Sequence, residues 1–204
     1  MKQWHAVCAS FAPMPAEFRK FVEEKDVPAE CRDERKAAND PKRSTAIQED
    51  LAGIRRKARF RQIYFTTKDG EIERVILPVY GKGLWSTMYG FLALDRDRTT
   101  IKSFAFYEHG ETPGLGAEID DPAWLARWPG TLARDATGAL RLEVALGRAP
   151  VQGPEAAYQV DGISGATRTS QGVARLLRFW LGPDGYGPTL ARLAAARPEG
   201  GGPP

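Results

Sequence analysis

Arg59-Phe-Arg-Gln-Ile-Tyr-Phe-Thr-Thr67 decides the fold class. Its aromatic and β-branched residues follow a period near two, the pattern of a half-buried strand. Asp69-Gly70 is a turn signal, and Arg74-Val-Ile-Leu-Pro-Val79 follows as a second strand. Met88–Leu94 and Thr99–Tyr107 flank the polar segment Asp95-Arg-Asp-Arg98 and read as another hairpin, and Leu140–Leu146 reads as a further strand. Upstream the period is helical. Ile47, Leu51, Ile54 and Ala58 recur about once per turn, which predicts an amphipathic helix with Ser44 or Thr45 as its N-cap. Pro122–Trp128 suits a short helix, with Pro in its first turn and Asp120 or Asp121 as cap. Thr169–Leu181 and Pro188–Ala196 are predicted to be the closing helices. Strands dominate the middle and helices the ends. The expectation is therefore α+β, an antiparallel sheet with flanking helices, rather than a doubly wound sheet.

Three regions are expected along the 204 residues. Residues 1–45 are charge-dense and punctuated by proline, and Phe18, Phe21 and Val22 at helical spacing predict a helical arm there. Residues 46–196 form the main domain, and 197–204, with Gly200-Gly-Gly-Pro-Pro204, read as a disordered tail. Lys+Arg 29 against Asp+Glu 26 gives +3, too little to point to nucleic acid. The longest run free of charged residues is Gln3–Ala16, which holds two prolines, so no bilayer-spanning segment and no secretory leader is read. Cys8 and Cys31 are open to pairing or to staying as thiols. With two cysteines, no CxxC and only His5 and His109, no zinc site is expected.

Three glycine-rich loops hold the chemistry: Gly81-Lys-Gly-Leu-Trp-Ser86, His109-Gly-Glu-Thr-Pro-Gly-Leu-Gly116 and Asp161-Gly-Ile-Ser-Gly-Ala-Thr-Arg-Thr-Ser170. Each reads at minimum as a turn. Trp85 and Leu115 also suit the face of a planar ring, and the glycines let backbone groups reach its polar edge. The third loop is the most specific. It precedes a helix whose stripe is Val173, Leu176, Leu177, Trp180 and Leu181, so a helix N-terminus lies beside Thr167. That end favours a phosphate, Gly165 and Ala166 leave room for it, and Ser164, Thr169 and Ser170 are candidate hydroxyl donors. A helix cap at Thr167 or Thr169 is the plain structural alternative. Gly162-Ile-Ser-Gly-Ala166 also resembles a nucleophile elbow, but no histidine follows His109 to complete a hydrolase triad.

Asp161-Gly-Ile-Ser-Gly-Ala-Thr167 resembles the flavinylation motif Asp-x-x-Ser/Thr-Gly-Ala-Thr of FMN-binding domains. Val75–Trp85, Tyr107–Gly116, Pro122-Ala-Trp124, Phe179-Trp-Leu-Gly182 and Gly185-Tyr-Gly-Pro188 narrow the likeness to the NqrC family of the Na+-translocating NADH:quinone oxidoreductase, from about Arg32 to about Arg192. The resemblance implies an electron carrier whose FMN is joined through its phosphate to Thr167 by a separate Mg2+-dependent flavin transferase that uses FAD. It implies that Asp161, Gly162, Ser164, Gly165 and Ala166 shape the acceptor loop and cradle the phosphate, with Thr169 as a further contact. Glu111 and Thr112 would hydrogen-bond the flavin, Leu84, Trp85 and Leu115 would pack on its ring, and Gly83, Gly114 and Gly116 would admit the backbone. For Glu111 a solvated turn residue is the other reading. The implied setting is the periplasmic face of a bacterial inner membrane, among the other subunits of the complex. The family carries an N-terminal transmembrane helix, for which this sequence has no counterpart, and Arg148 stands where a lysine is expected near the flavin. The RnfG family of the related Rnf complex, a cofactor-free assembly protein and a noncovalent flavoprotein stay open beside this reading.

Overall fold

The computed structural model describes residues 3–10, 33–68 and 71–195. Strands β1 (Gln3–Ser10), β4 (Phe60–Lys68), β5 (Glu71–Lys82), β6 (Thr87–Leu94) and β7 (Ile101–Glu108) form one antiparallel sheet in the order β1-β4-β5-β6-β7. The sheet alternates as the sequence predicts: Val75, Leu77 and Val79 of β5 are buried, while Ile76, Pro78 and Tyr80 between them are half-buried. Tyr80 pairs with Tyr89 and Val75 with Leu94, a register that puts the apolar set of both strands on one face.

Helix α3 (Thr167–Leu181) covers that face. Val173, Leu176, Leu177, Trp180 and Leu181 are all at or below 1% exposure, so the predicted stripe is the contact surface. Each such side chain contributes about 2 kcal/mol by leaving water. Two glycines set how close the helix comes. A Cβ on Gly81 would lie 2.6 Å from the Leu176 Cβ, and one on Gly172 would lie 2.7 Å from the Lys82 carbonyl oxygen. The Trp180 indole donates to the Tyr80 carbonyl at 2.6 Å, and the Tyr186 hydroxyl to that of Pro78 at 2.8 Å. The helix is thereby fixed along β5, with its N-terminus at the loop that follows that strand. Helix α4 (Gly187–Ala195) follows α3 directly. The α+β class holds.

Three local expectations change. Residues 47–58 are not a helix. Residues 47–55 form a turn between β2 (Ser44–Ala46) and β3 (Arg56–Ala58), which pair antiparallel. Gly53 and Arg55 take φ of +68° and +63°, and the Asp50 carboxylate accepts from the amides of Ile54 and Arg55. Such local capping offers the backbone an alternative to helical bonds. Of the predicted apolar set, Ala58 is buried in β3, Ile47 and Ile54 pack against the core, and Leu51 is 49% exposed. In the arm, Gln3–Ser10 is a strand pairing with β4, and only α1 (Glu34–Asn39), capped by Asp33, is helical among its described residues. The predicted strand at 140–146 shrinks to β8 (Glu143–Val144), which pairs in parallel with β9 (Gln159–Val160). The turn at Asp69-Gly70, the pattern at Phe18–Val22, Cys31, the Cys8 side chain and the tail lie outside the described residues.

Candidate functional site

The three glycine-rich loops meet at one carboxylate. Glu111 is 5% exposed. Its Oε1 accepts from the amides of Trp85 at 3.0 Å and Ser86 at 3.1 Å and from the Ser86 hydroxyl at 3.2 Å. Its Oε2 accepts from the amide of Leu84 at 3.1 Å and from the Thr169 hydroxyl at 2.7 Å. A carboxylate has about four lone-pair sites, so protein donors saturate this one. Burial acts to raise its pKa. The Thr169 hydroxyl and the amides of Trp85, Ser86 and Leu84 outweigh burial and hold the carboxyl below its ordinary range. Two glycines make the bracket possible. A Cβ on Gly83 would sit 2.6 Å from Glu111 Oε1, and one on Gly116 would sit 2.6 Å from the Thr169 Oγ1.

Glu111, Thr169 and Asp161 are each engaged within the protein. Glu111 is not a solvated turn residue; it ties the loop at 83–86 to the first turn of α3. Thr169 and Ser170 are each 1% exposed, and their oxygens serve Glu111 and the Ile163 amide. Asp161 also works inward. Its Oδ1 accepts from the Ala149 amide at 2.7 Å, its Oδ2 pairs with Arg127, and its carbonyl accepts from the Trp124 indole at 2.8 Å. Gly162 lies tight on the neighbouring segment, where a Cβ would fall 2.2 Å from the Ala145 carbonyl oxygen. The α2 helix (Pro122–Leu125) supplies Trp124 and starts as predicted, Asp121 accepting from the Ala123 amide at 2.8 Å.

What faces outward is different in kind. Thr167, Ser164 and Gly165 are exposed, Gly165 at φ +73°. Thr167 is the first residue of α3, behind Ala166, and no side chain caps that end. The first helical bond is from the Ser170 amide to the Ala166 carbonyl at 3.0 Å. The amides of Thr167, Arg168 and Thr169 precede it and have no intrahelical acceptor. Around them stand apolar side chains open to solvent: Trp85 at 67%, Leu115 at 45% and Leu84 at 37%. Leu115 overlies the loop at 161–166, since a Cβ on Gly165 would be 3.1 Å from its Cδ2. Gly114 takes φ +72° in the turn before it, and Thr112 is exposed, its carbonyl accepting from the amides of Leu115 and Ala117.

Sequence reasoning missed Ser86, His109 and Arg127. Ser86 Oγ also accepts from the Gly110 amide at 2.7 Å. His109 Nδ1 accepts from the Glu111 amide, which assigns the proton to Nε2, 2.7 Å from Asp120. Arg127 holds Asp161 from three residues beyond Trp124. None of the three lies in an apolar pattern that marks its partner.

The match to known proteins falls on this part of the chain. Residues 83–182 match the family described as FMN-binding domain. The chain is 51% identical over 160 residues to the NqrC of the Na(+)-translocating NADH-quinone reductase of Pseudomonas aeruginosa, covering 78% of this chain and 61% of that one. To its Vibrio anguillarum counterpart it is 40% identical over 192 residues, 88% of this chain and 74% of that one. The chain belongs to the NqrC family of the Na(+)-translocating NADH-quinone reductases. It is also similar to the crystal structure of Shewanella oneidensis NqrC, with TM-score 0.77 and 32% identity over 96% of this chain and 85% of that one. The corresponding crystal structure from Parabacteroides distasonis matches with TM-score 0.55 and 33% identity, over 65% and 63% of the two chains. The chain spans about three fifths of the length of the Pseudomonas relative, 61%. No helix among the described residues is long and apolar enough to cross a membrane.

Proposed function

We propose that this chain carries one FMN, joined through its phosphate to the Thr167 hydroxyl, and passes electrons within a Na+-translocating NADH-quinone reductase. The observation that carries this reading is the exposure of Thr167 at an uncapped helix N-terminus inside the matched FMN-binding region. The residues present suit the group. The orphaned amides of Thr167, Arg168 and Thr169 and the positive end of α3 favour a phosphate. Trp85, Leu84 and Leu115 offer apolar surface to a flat ring, Gly114 faces open space, and Gly83 and Gly116 admit Glu111 and Thr169 behind it. When bound, FMN supplies reversible electron transfer; the chain binds, orients and shields it. A tether to Thr167 keeps the cofactor from leaving in whichever redox state binds weakly.

Attachment balances as the exchange of an anhydride for an ester: the P–O–P bond of FAD breaks as the bond from the Thr167 oxygen to phosphorus forms. The Thr167 hydroxyl takes the FMN phosphoryl group of FAD, AMP leaves, and the hydroxyl proton is released. A flavin transferase performs it in this reading, and the partners are the other reductase subunits at the periplasmic face of the inner membrane. The test is intact mass under denaturing conditions after co-expression with a flavin transferase. A gain of FMN less one water, absent in Thr167→Ala, supports the reading. No gain in the presence of an active transferase overturns it.

A further inference from the structure

Nine large apolar side chains are exposed among the described residues. Five of them, Leu84, Trp85, Leu115, Leu146 and Val151, lie on segments joined to the loop at 161–169, directly or through Glu111. A concentration of this kind marks a surface that something else covers. The flavin reading uses the first three. It leaves Leu146 and Val151, which at 73% and 93% are the most exposed of the nine. The backbone between these two is anchored. The Gly162 amide donates to the Gly147 carbonyl at 2.7 Å, and the Ala149 amide donates to Asp161 Oδ1 at 2.7 Å. Two apolar side chains are thus held in solvent on a fixed strip, beside the residues that lead into Thr167.

The charge beside the strip has one sign. Arg148 stands exposed between the two apolar side chains, and Arg168 follows Thr167 in the first turn of α3. Neither has an ion-pair partner among the described residues, and that first turn holds no acid. A cation there opposes the helix dipole, so Arg168 destabilises the chain until an anion arrives. In the flavin reading, attachment brings the diphosphate of FAD to Thr167 and leaves a single phosphodiester. The larger negative charge is present only while the donor is held in place, which is while its enzyme covers the hydroxyl. A redox partner needs the ring edge instead, and the strip lies at the ester end. Resting on that reading, we propose that residues 146–151 are the docking strip for the transferase that esterifies Thr167. Leu146 and Val151 enter apolar contacts on that enzyme, and Arg148 and Arg168 meet the diphosphate of the FAD it carries.

The test follows FMN incorporation into the full chain by a flavin transferase with FAD and Mg2+, beside the double variant Leu146→Ser, Val151→Ser. Both side chains are exposed, so the melting temperature should match the parent's and separates lost docking from lost folding. The expected result is a kcat/KM about ten-fold lower in the double variant, carried by KM with kcat unchanged, as for the loss of two apolar anchors at an interface. Docking is also read without chemistry. Thr167→Ala should inhibit incorporation into the parent, and adding the double substitution should weaken that inhibition by the same factor. Equal kcat/KM for parent and double variant overturns the docking strip and leaves the flavin reading standing. So does a loss confined to kcat, or a self-association of the parent, seen by sedimentation, that the double variant abolishes. No incorporation into the parent by an active transferase overturns the flavin reading and this proposal with it.

Discussion

Glu111→Gln removes one charge and one acceptor and leaves the volume unchanged. The amide oxygen does best in the Oε1 position, where it keeps the amides of Trp85 and Ser86 and the Ser86 hydroxyl. The new NH2 then faces the Leu84 amide and the Thr169 hydroxyl, which the carboxylate accepted at 3.1 and 2.7 Å. The hydroxyl can rotate to accept. The Leu84 N–H cannot, and it is left against another donor. A hydrogen bond to a charged acceptor contributes about 1.5–3 kcal/mol, and a stranded buried donor costs about 1–3 kcal/mol. Allowing for overlap of the two, the loop should lose about 3 kcal/mol. That is less than the 5–15 kcal/mol that holds a typical domain together, so the chain should stay folded while the loop loosens. Hydrogen exchange of the Leu84, Trp85 and Ser86 amides reads this directly, with a rise of about a hundred-fold, at 1.4 kcal/mol per decade. The melting temperature should drop by about 6–12 °C for a chain of this size. Unchanged exchange at those three amides would refute the bracket.

Glu111 also sets a pH dependence. Its folded pKa lies below the ordinary 4.5, so its contribution is full above that value and is lost as pH falls through the lowered folded value. Acid titration of stability should show that loss in the parent, and Glu111→Gln should flatten it. Gly116→Ala drives a Cβ to within 2.6 Å of Thr169 Oγ1 and 3.0 Å of Glu111 Cβ. It should cost about 1–3 kcal/mol in a thermal melt and speed exchange at the start of α3. Arg127→Ala breaks a pair that is half-exposed on the arginine side. Stability should change by less than about 1 kcal/mol, while the rate of FMN incorporation falls and Arg127→Lys recovers part of it. Equal incorporation rates for all three chains would remove Arg127 from the positioning of Asp161.

The sheet is legible in the sequence because β4 to β7 obey a two-residue period that the pleat turns into two faces. Helix α3 is legible because Val173, Leu176, Leu177, Trp180 and Leu181 share one side. The segment 47–58 mimics a helix because Ile47, Ile54 and Ala58 meet the core at a spacing that also suits one, and the period cannot register that Asp50 takes the amides of Ile54 and Arg55. The strand expected at 140–146 is cut short because residues after Val144 turn to meet Asp161, through the Ala149 amide. Within the site, glycines and exposed side chains can be placed from the motif. The role of Glu111 cannot, since its donors lie 25 to 58 residues away in sequence. A buried carboxylate and a solvated one look alike until the fold brings the donors together.

The side chains that look most reactive in the loop at 161–170 are the ones the fold uses up. Asp161, Thr169 and Ser170 are engaged inward, and Ala149, Arg127, Trp124 and Glu111 hold them there. Ala166 keeps the turn closed through its own amide, donating to the Ile163 carbonyl at 3.1 Å, and supplies no side-chain oxygen to the helix end. A Ser or Asp there would satisfy one of the orphaned amides and, as Asp, would cancel part of the positive potential. With Ala166, that potential stays at Thr167. Arg148 and Arg168 stand exposed on the two segments that flank it, and neither has an ion-pair partner among the described residues. Rigid surroundings, an exposed hydroxyl and uncancelled positive charge together are what the proposed phosphate ester at Thr167 would require. The engaged neighbours supply the first of these, and the uncapped helix end supplies the last.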